Sequence, residues 1–202
     1  ELCGAGVAWN VIRVLYENYD MDKREAEDLL DFVAMATVCD VMSLTGENRI
    51  LVKEGLKRIR HTKNIGLQAL MQACNVQPEN ISAYHFGYVL GPCVNATGRL
   101  DTARHALRLF ETGQETEAEE IARDLVDLNQ ERKELTLQGV EMAKKLCEEG
   151  GYENDPVLVL FLPDVHESIA GLIAGRIREM YNRPVFVLTR GEAVSYTHLT
   201  LP

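Results

Sequence analysis

The chain of 202 residues is short of several things, and each shortage excludes something. No apolar run approaches the roughly 20 residues that a helix needs to cross a bilayer, so a membrane-spanning helix is not expected. The opening segment, ELCGAGVAWNVIRVLYENYD, has no basic flank ahead of an apolar stretch, which argues against a secretory signal. Fifteen Gly and six Pro are too few for a low-complexity or collagen-like chain. Five cysteines (Cys3, Cys39, Cys74, Cys93 and Cys147) are an odd, scattered set without a CxxC pair. That excludes a disulfide framework and a zinc ribbon, and suits reduced, mostly buried thiols in the cytoplasm. Basic side chains are outnumbered, 21 against 31, for a net charge of −10. A chain-wide basic surface is thereby excluded, although a local one is not.

What is present is the composition of a globular protein, 46% apolar and 26% charged. The charge is uneven. Residues 1–48 hold ten acids and three bases, and residues 115–149 hold eleven acids and five bases. Between them, residues 49–63 hold six bases (Arg49, Lys53, Lys57, Arg58, Arg60 and Lys63) against Glu54 alone. Such a basic segment is either a binding patch or a solvated helix face.

Periodicity predicts helices over 2–18, 23–38 and from about 47 to 60, then a short one at LQALMQAC. Pro78 and Asn80 mark a break, and a helix from about Ser82 leads into LGPCVNATGRL. Gly91, Pro92 and Gly98 suggest an irregular loop over 91–98. A helix over 102–110 follows, then one long helix over 115–148 closed by Gly150-Gly151. The pattern then changes to a buried strand at 157–162, a helix over 168–181 and a second strand at VFVL. Strand, helix, strand is the opening of an α/β unit, so a boundary is expected near 150.

Three stretches could carry chemistry. Asp40 closes a strongly apolar run; it is either a cation ligand or a helix-end carboxylate facing water. GPCVNATGRL places two glycines, Asn95 and Arg99 within a few residues. Glycines let backbone N–H groups approach an anion and Arg grips phosphate through two N–H groups, although an ordinary interhelix loop has the same composition. In VHESIAGLIAGRI, His166 precedes a helix opened by Ser168, with Gly171 and Gly175 along it. That start could seat a phosphate, or Ser168 could simply cap the helix.

Taken together and in this order, LCGAGVAWNVI, DFVAMATVCDVMSLTGENRILV, GPCVNATGRLDTARHALRLF and VHESIAGLIAGRI followed by RPVFVL resemble the RecJ family. These are single-strand-specific exonucleases of the DHH phosphoesterase superfamily, and the resemblance covers nearly all of residues 1–192. It implies an α/β fold: the mostly helical end of a DHH domain over 1–114, a connecting helix over 115–150 and part of a DHH-associated domain over 151–192. It implies a two-metal site with Mn²⁺ or Mg²⁺, single-stranded DNA threading between the domains, and release of 5′-mononucleotides from a 5′ end in repair and recombination. A single-strand-binding protein is an implied partner, and the cytoplasm the implied location. By motif, Asp40 is implied as a metal ligand and catalytic residue, and Asn95, Gly98 and Arg99 as phosphate contacts. His166, Gly171 and Arg176 are implied as contacts to the DNA backbone. Thr45, Glu47, Asn48 and Arg49 match a loop with a structural task.

The chain also departs from the family pattern. It has no DHH triplet, and Asp20-Met21-Asp22 has DxD spacing but lies in a polar interhelix stretch. One carboxylate cannot hold two cations that each prefer about six oxygens, so the chain alone is expected to be an inactive internal piece. The final stretch, AVSYTHLTLP, resembles the translation of a sequencing-adapter read-through. Residues 193–202 are therefore expected to be non-native, and disordered or poorly packed. Two other readings stay open: a non-catalytic DHH-type replication scaffold, and a DHH phosphodiesterase for short oligonucleotides or cyclic dinucleotides. The latter's GGGH-like motif is not seen here.

Overall fold

A computed structural model describes residues 1–100, 102–152 and 155–190, together with the backbone of 195–200. The chain forms two compact units, Glu1–Asp127 and Leu128–Pro202, and the division falls inside one long helix.

The first unit is helical. Helix α1 (Gly4–Asn18) is capped by Cys3, whose Sγ accepts from the Gly6 N–H, and it buries Gly6 and Trp9. The Trp9 indole N–H donates to the Ala26 carbonyl at 2.6 Å, which pins α1 to α2 (Lys23–Asp28). A single helix over 23–38 is not what forms: the chain breaks at Leu29 and α3 (Leu30–Cys39) begins anew. Helix α3 is apolar almost all round and largely buried. It crosses α4 (Gly46–Arg58) at Gly55, where a Cβ would overlap Ala34 and the Leu30 carbonyl. Asn64 caps α5 (Ile65–Ala73), accepting from the Leu67 N–H at 2.9 Å and donating to the Phe110 carbonyl at 2.8 Å.

Next comes a continuous helical rod: α6 (Ala83–His85), a π-helical turn (Phe86–Leu90) and α7 (Gly91–Leu100). The expected loop over 91–98 is thus corrected to helix. Pro92 has no N–H to offer the Tyr88 carbonyl, and its ring would strike that carbonyl in a regular α-helix. The π turn, closed by the Gly91 N–H on the Phe86 carbonyl, widens the helix just where Pro92 enters. Helix α8 (Ala103–Glu111) and the first turns of α9 (Glu115–Gly150) complete a core around Leu67, Leu70, Phe86, Leu90, Leu109 and Leu125.

The second unit holds the rest of α9 and a small sheet. Strand β1 (Leu158–Phe161) runs parallel to β2 (Val185–Arg190), with Leu158 opposite Val185 and Leu160 opposite Val187. Helix α10 (Glu167–Tyr181) connects them and packs Ile169, Ile173 and Ile177 into the core those four residues share. It ends at Asn182 in the left-handed conformation. Gly139 of α9 leaves room for Ile173, which a Cβ there would strike. The backbone of β3 (Ser195–Thr200) pairs antiparallel with β2. Of the stretch 193–202, these six residues are described by their backbone, and the remaining four lie outside the described residues.

Candidate metal and phosphate sites

Asp40 sits at the exposed C-terminal cap of α3. The helix stops in a Schellman arrangement, with the Met42 N–H on the Thr37 carbonyl at 3.1 Å and the Val41 N–H on the Val38 carbonyl at 3.1 Å. Glycine is the usual residue at the left-handed position of that motif. Here it is Val41, at φ 54° and 88% exposed. A β-branched side chain there costs roughly 1–2 kcal/mol, so the fold holds a strained residue next to the candidate ligand. A carboxylate at a helix C-terminus also lies in the negative field of the helix, a place that favours a cation. The Cys39 thiol beside it is pushed up to about 11, first by burial and then by the Asp40 charge.

The end of α3 packs on the rod. The Cys39 thiol donates to the Phe86 carbonyl at 3.5 Å, and a Cβ on Gly91 would overlap the Cys39 sulfur. A Cβ on Gly87 would instead stand in ordinary contact with Val38, at 3.4 Å. Asn95 is one helical turn beyond Gly91, so the rod carries it onward from the point where α3 ends at Asp40. Asn95, Gly98 and Arg99 have the i, i+3, i+4 spacing of a single helix face, and all three are exposed. A Cβ on Gly98 would meet open space. The three residues therefore form one patch with an amide, a bare backbone and a guanidinium.

The second unit arranges its candidates differently. His166 is the N-cap of α10: its Nδ1 accepts from the Ser168 N–H at 3.3 Å and lies 2.7 Å from Ser168 Oγ. With Nδ1 accepting, a neutral ring carries its proton on Nε2. His166 is exposed, Gly171 is half-buried, and Arg176 is exposed with its guanidinium 3.5 Å from Glu179. Gly171 and Arg176 are five residues apart, about 140° around the helix, so they do not share a stripe. The structure does not gather these three into one patch.

Three bases of the basic segment, Lys57, Arg58 and Lys63, have acidic partners. Arg58 pairs with Glu27 and, at 3.4 Å, with Asp28, and Lys57 pairs with Glu54 at 2.7 Å. Lys63 reaches Asp28 at 3.7 Å. Asn48 is buried and donates to the Glu1 and Ser43 carbonyls at 2.9 and 3.0 Å, a structural use of its loop. Sequence reasoning missed the acidic partners on α2 because they lie some 30 residues away. It also missed Val41, whose strain appears only in the backbone.

Among the described residues, no three His, Cys, Asp or Glu side chains come together to hold a metal ion. The residues described here do not by themselves fit a divalent-cation site, since Asp40 offers a single carboxylate.

No protein-family model matches the chain. It is similar to the single-stranded-DNA-specific exonuclease RecJ of Haemophilus influenzae, 34% identical over 202 residues, covering 94% of this chain and 35% of that protein. The RecJ of Thermus thermophilus is 34% identical over 189 residues, covering 94% of this chain and 27% of that protein. Its crystal structure in complex with Mg²⁺ superposes with a TM-score of 0.84 at 33% identity, over 98% of this chain and 30% of that one. A structure of exonuclease RecJ bound to manganese gives 0.81 at 34% identity, over 94% of this chain and 47% of that one. The chain spans about a third of the length of the curated relatives it matches. Similarity along nearly its whole length, in sequence and in backbone, shows that the chain belongs to the RecJ family.

Proposed function

We propose that this chain is the backbone-gripping part of a single-stranded-DNA exonuclease. The whole protein would hydrolyse phosphodiester bonds from a 5′ end and release 5′-mononucleotides, in the cytoplasm, during repair and recombination. The observation that carries this reading is the exposed patch of Asn95, Gly98 and Arg99 on one face of α7, in a chain that belongs to the RecJ family. Arg99 would donate two N–H groups to the non-bridging oxygens of a phosphate and balance its charge. Asn95 would donate its amide N–H, and Gly98 would let the phosphate approach the helix. In the second unit, His166 would donate from Nε2 while Nδ1 keeps its capping role, and Arg176 and Gly171 would also contact a DNA backbone. A single-strand-binding protein would be a partner of the whole enzyme.

Mg²⁺ and Mn²⁺ are the ions of the similar RecJ structures. Asp40 would be the one carboxylate that the described residues offer to such an ion; no step is derived through it. The chain alone should therefore bind single-stranded DNA without cutting it. The test is purified chain with a 5′-labelled 12-mer and Mn²⁺. Expected are binding that weakens steeply with salt, from counterion release, and no hydrolysis. Hydrolysis that Asp40→Ala abolishes would overturn the inactivity, and salt-independent or absent binding would overturn the phosphate reading.

A further inference from the structure

The helical rod that ends in the phosphate patch begins with two exposed aromatic rings that this reading leaves unused. Tyr84 and Tyr88 are 63% and 73% exposed. Their ring centroids are 5.2 Å apart with planes 25° from parallel, and His85 meets Tyr84 edge-on at 5.7 Å. The opposite side of the rod is buried through Phe86, Leu90, Cys93 and Ala96. Tyr84, Tyr88, Asn95, Gly98 and Arg99 are thus the solvent-facing residues of one continuous helical element. From Tyr88 to Asn95 is seven residues, about 10 Å of helix. That is about three nucleotides at a stacked spacing of about 3.4 Å, and fewer in a stretched strand.

An aromatic pair four residues apart on a helix is also a local stabiliser, worth only a few tenths of a kcal/mol. Two large rings kept that far from any core suit a ligand with flat, apolar faces. Nucleobases have such faces whatever their sequence, and stacking on exposed aromatics is how single strands are held without base readout. The matched relatives are named as single-stranded-DNA-specific, which duplex DNA with its paired, stacked bases would not satisfy.

We infer that the stacked Tyr84–Tyr88 pair is a base-stacking platform for single-stranded DNA, placed one to three nucleotides from the phosphate held by Asn95 and Arg99. The inference rests on the phosphate reading of that patch. It is tested on the full chain by fluorescence anisotropy at low salt with two 12-mers, oligo-dT and an abasic strand of equal charge. Oligo-dT should bind about tenfold more tightly than the abasic strand. The Tyr84→Leu/Tyr88→Leu variant, which keeps an apolar helical pair, should lose that advantage while binding the abasic strand unchanged. Tyr84→Phe/Tyr88→Phe should retain it. Circular dichroism confirms that each variant is folded. Equal binding of both strands by the unaltered chain, or an advantage untouched by the leucine pair, overturns the platform alone. Failure to bind either strand overturns the phosphate reading and the platform with it.

Discussion

Helices α7 and α10 each carry three residues that family motifs link to phosphate, yet the two helices present them in opposite ways. On α7 the spacing is 95, 98, 99, a single exposed face. On α10 it is 166, 171, 176, spread from the N-cap to the third turn and around the helix. The first arrangement can close on one phosphate from several sides. The second can only touch a backbone at successive points. Their supports differ as well. Helix α7 meets α3 at Gly91, where no space is left for a Cβ, whereas α10 is anchored by Ile169, Ile173 and Ile177 and leaves open space at Gly175. On the proposed reading, α7 would grip a phosphate and α10 would guide the backbone.

The strongest way to break the comparison is through those supports. Gly91→Val would drive side-chain atoms into the Cys39 sulfur and the Phe86 carbonyl. Overpacking of this kind should destabilise the first unit by about 3 kcal/mol, seen as a lower denaturant midpoint. Gly175→Val should leave stability unchanged or raise it by about a few tenths of a kcal/mol, because valine is a better helix former than glycine and a Cβ there meets nothing within 4 Å. Equal losses would show that α7 is not braced as described.

Next in size is the contrast between the two arginines. Arg99→Ala should weaken binding of a single strand about tenfold or more, equally for different base sequences, since a phosphate contact carries no base information. Arg176→Ala should weaken it by less than about threefold, because an exposed ion-paired arginine touching one point of a flexible backbone contributes little. Anisotropy titrations against dT, dA and mixed 12-mers measure both. A sequence-selective loss at Arg99, or a larger loss at Arg176, would reverse the assignment of grip and guide.

The second unit was largely legible in the sequence. VLVLFL and VFVL are short apolar runs flanking a helix pattern, and such runs become parallel strands with a crossover helix. The long helix was legible too, because almost nothing between 115 and 148 interrupts it. The α7 region was not. Its Gly and Pro suggested a loop, whereas Gly91 serves close packing against Cys39, and a π turn accommodates Pro92. Local composition cannot distinguish a glycine that bends from one that packs, because the difference lies in a partner some 50 residues away. Asn95, Gly98 and Arg99 are near one another in the sequence, and only the helix makes them a face. The ionic use of Arg58 and Lys63 was hidden for the same reason: Glu27 and Asp28 lie on another helix.

A smaller effect probes the start of α10. His166→Ala removes the acceptor for the Ser168 N–H and should cost about 1 kcal/mol of stability in the second unit. His166→Asn restores a capping oxygen without the outward Nε2–H. If His166 serves only as a cap, Asn should rescue both stability and binding. If it also guides DNA, Asn should rescue the melting temperature and leave a modest binding loss.

The smallest effects come from the two glycines with open space, and they sharpen the contrast most cleanly. At Gly98 and at Gly175 a Cβ meets nothing within 4 Å, so alanine should raise helix stability at either place by about 0.5–1 kcal/mol. The signs should then part in binding. Gly175→Ala lies outside the proposed contacts and should leave affinity for a single strand unchanged. Gly98→Ala sets a methyl group between Asn95 and Arg99, where the phosphate would rest, and should weaken binding even as the chain becomes harder to unfold. A gain in stability with a loss in affinity cannot come from damage to the fold. Unchanged affinity in Gly98→Ala would mean that the phosphate does not approach the α7 backbone, and that Arg99 alone makes the grip.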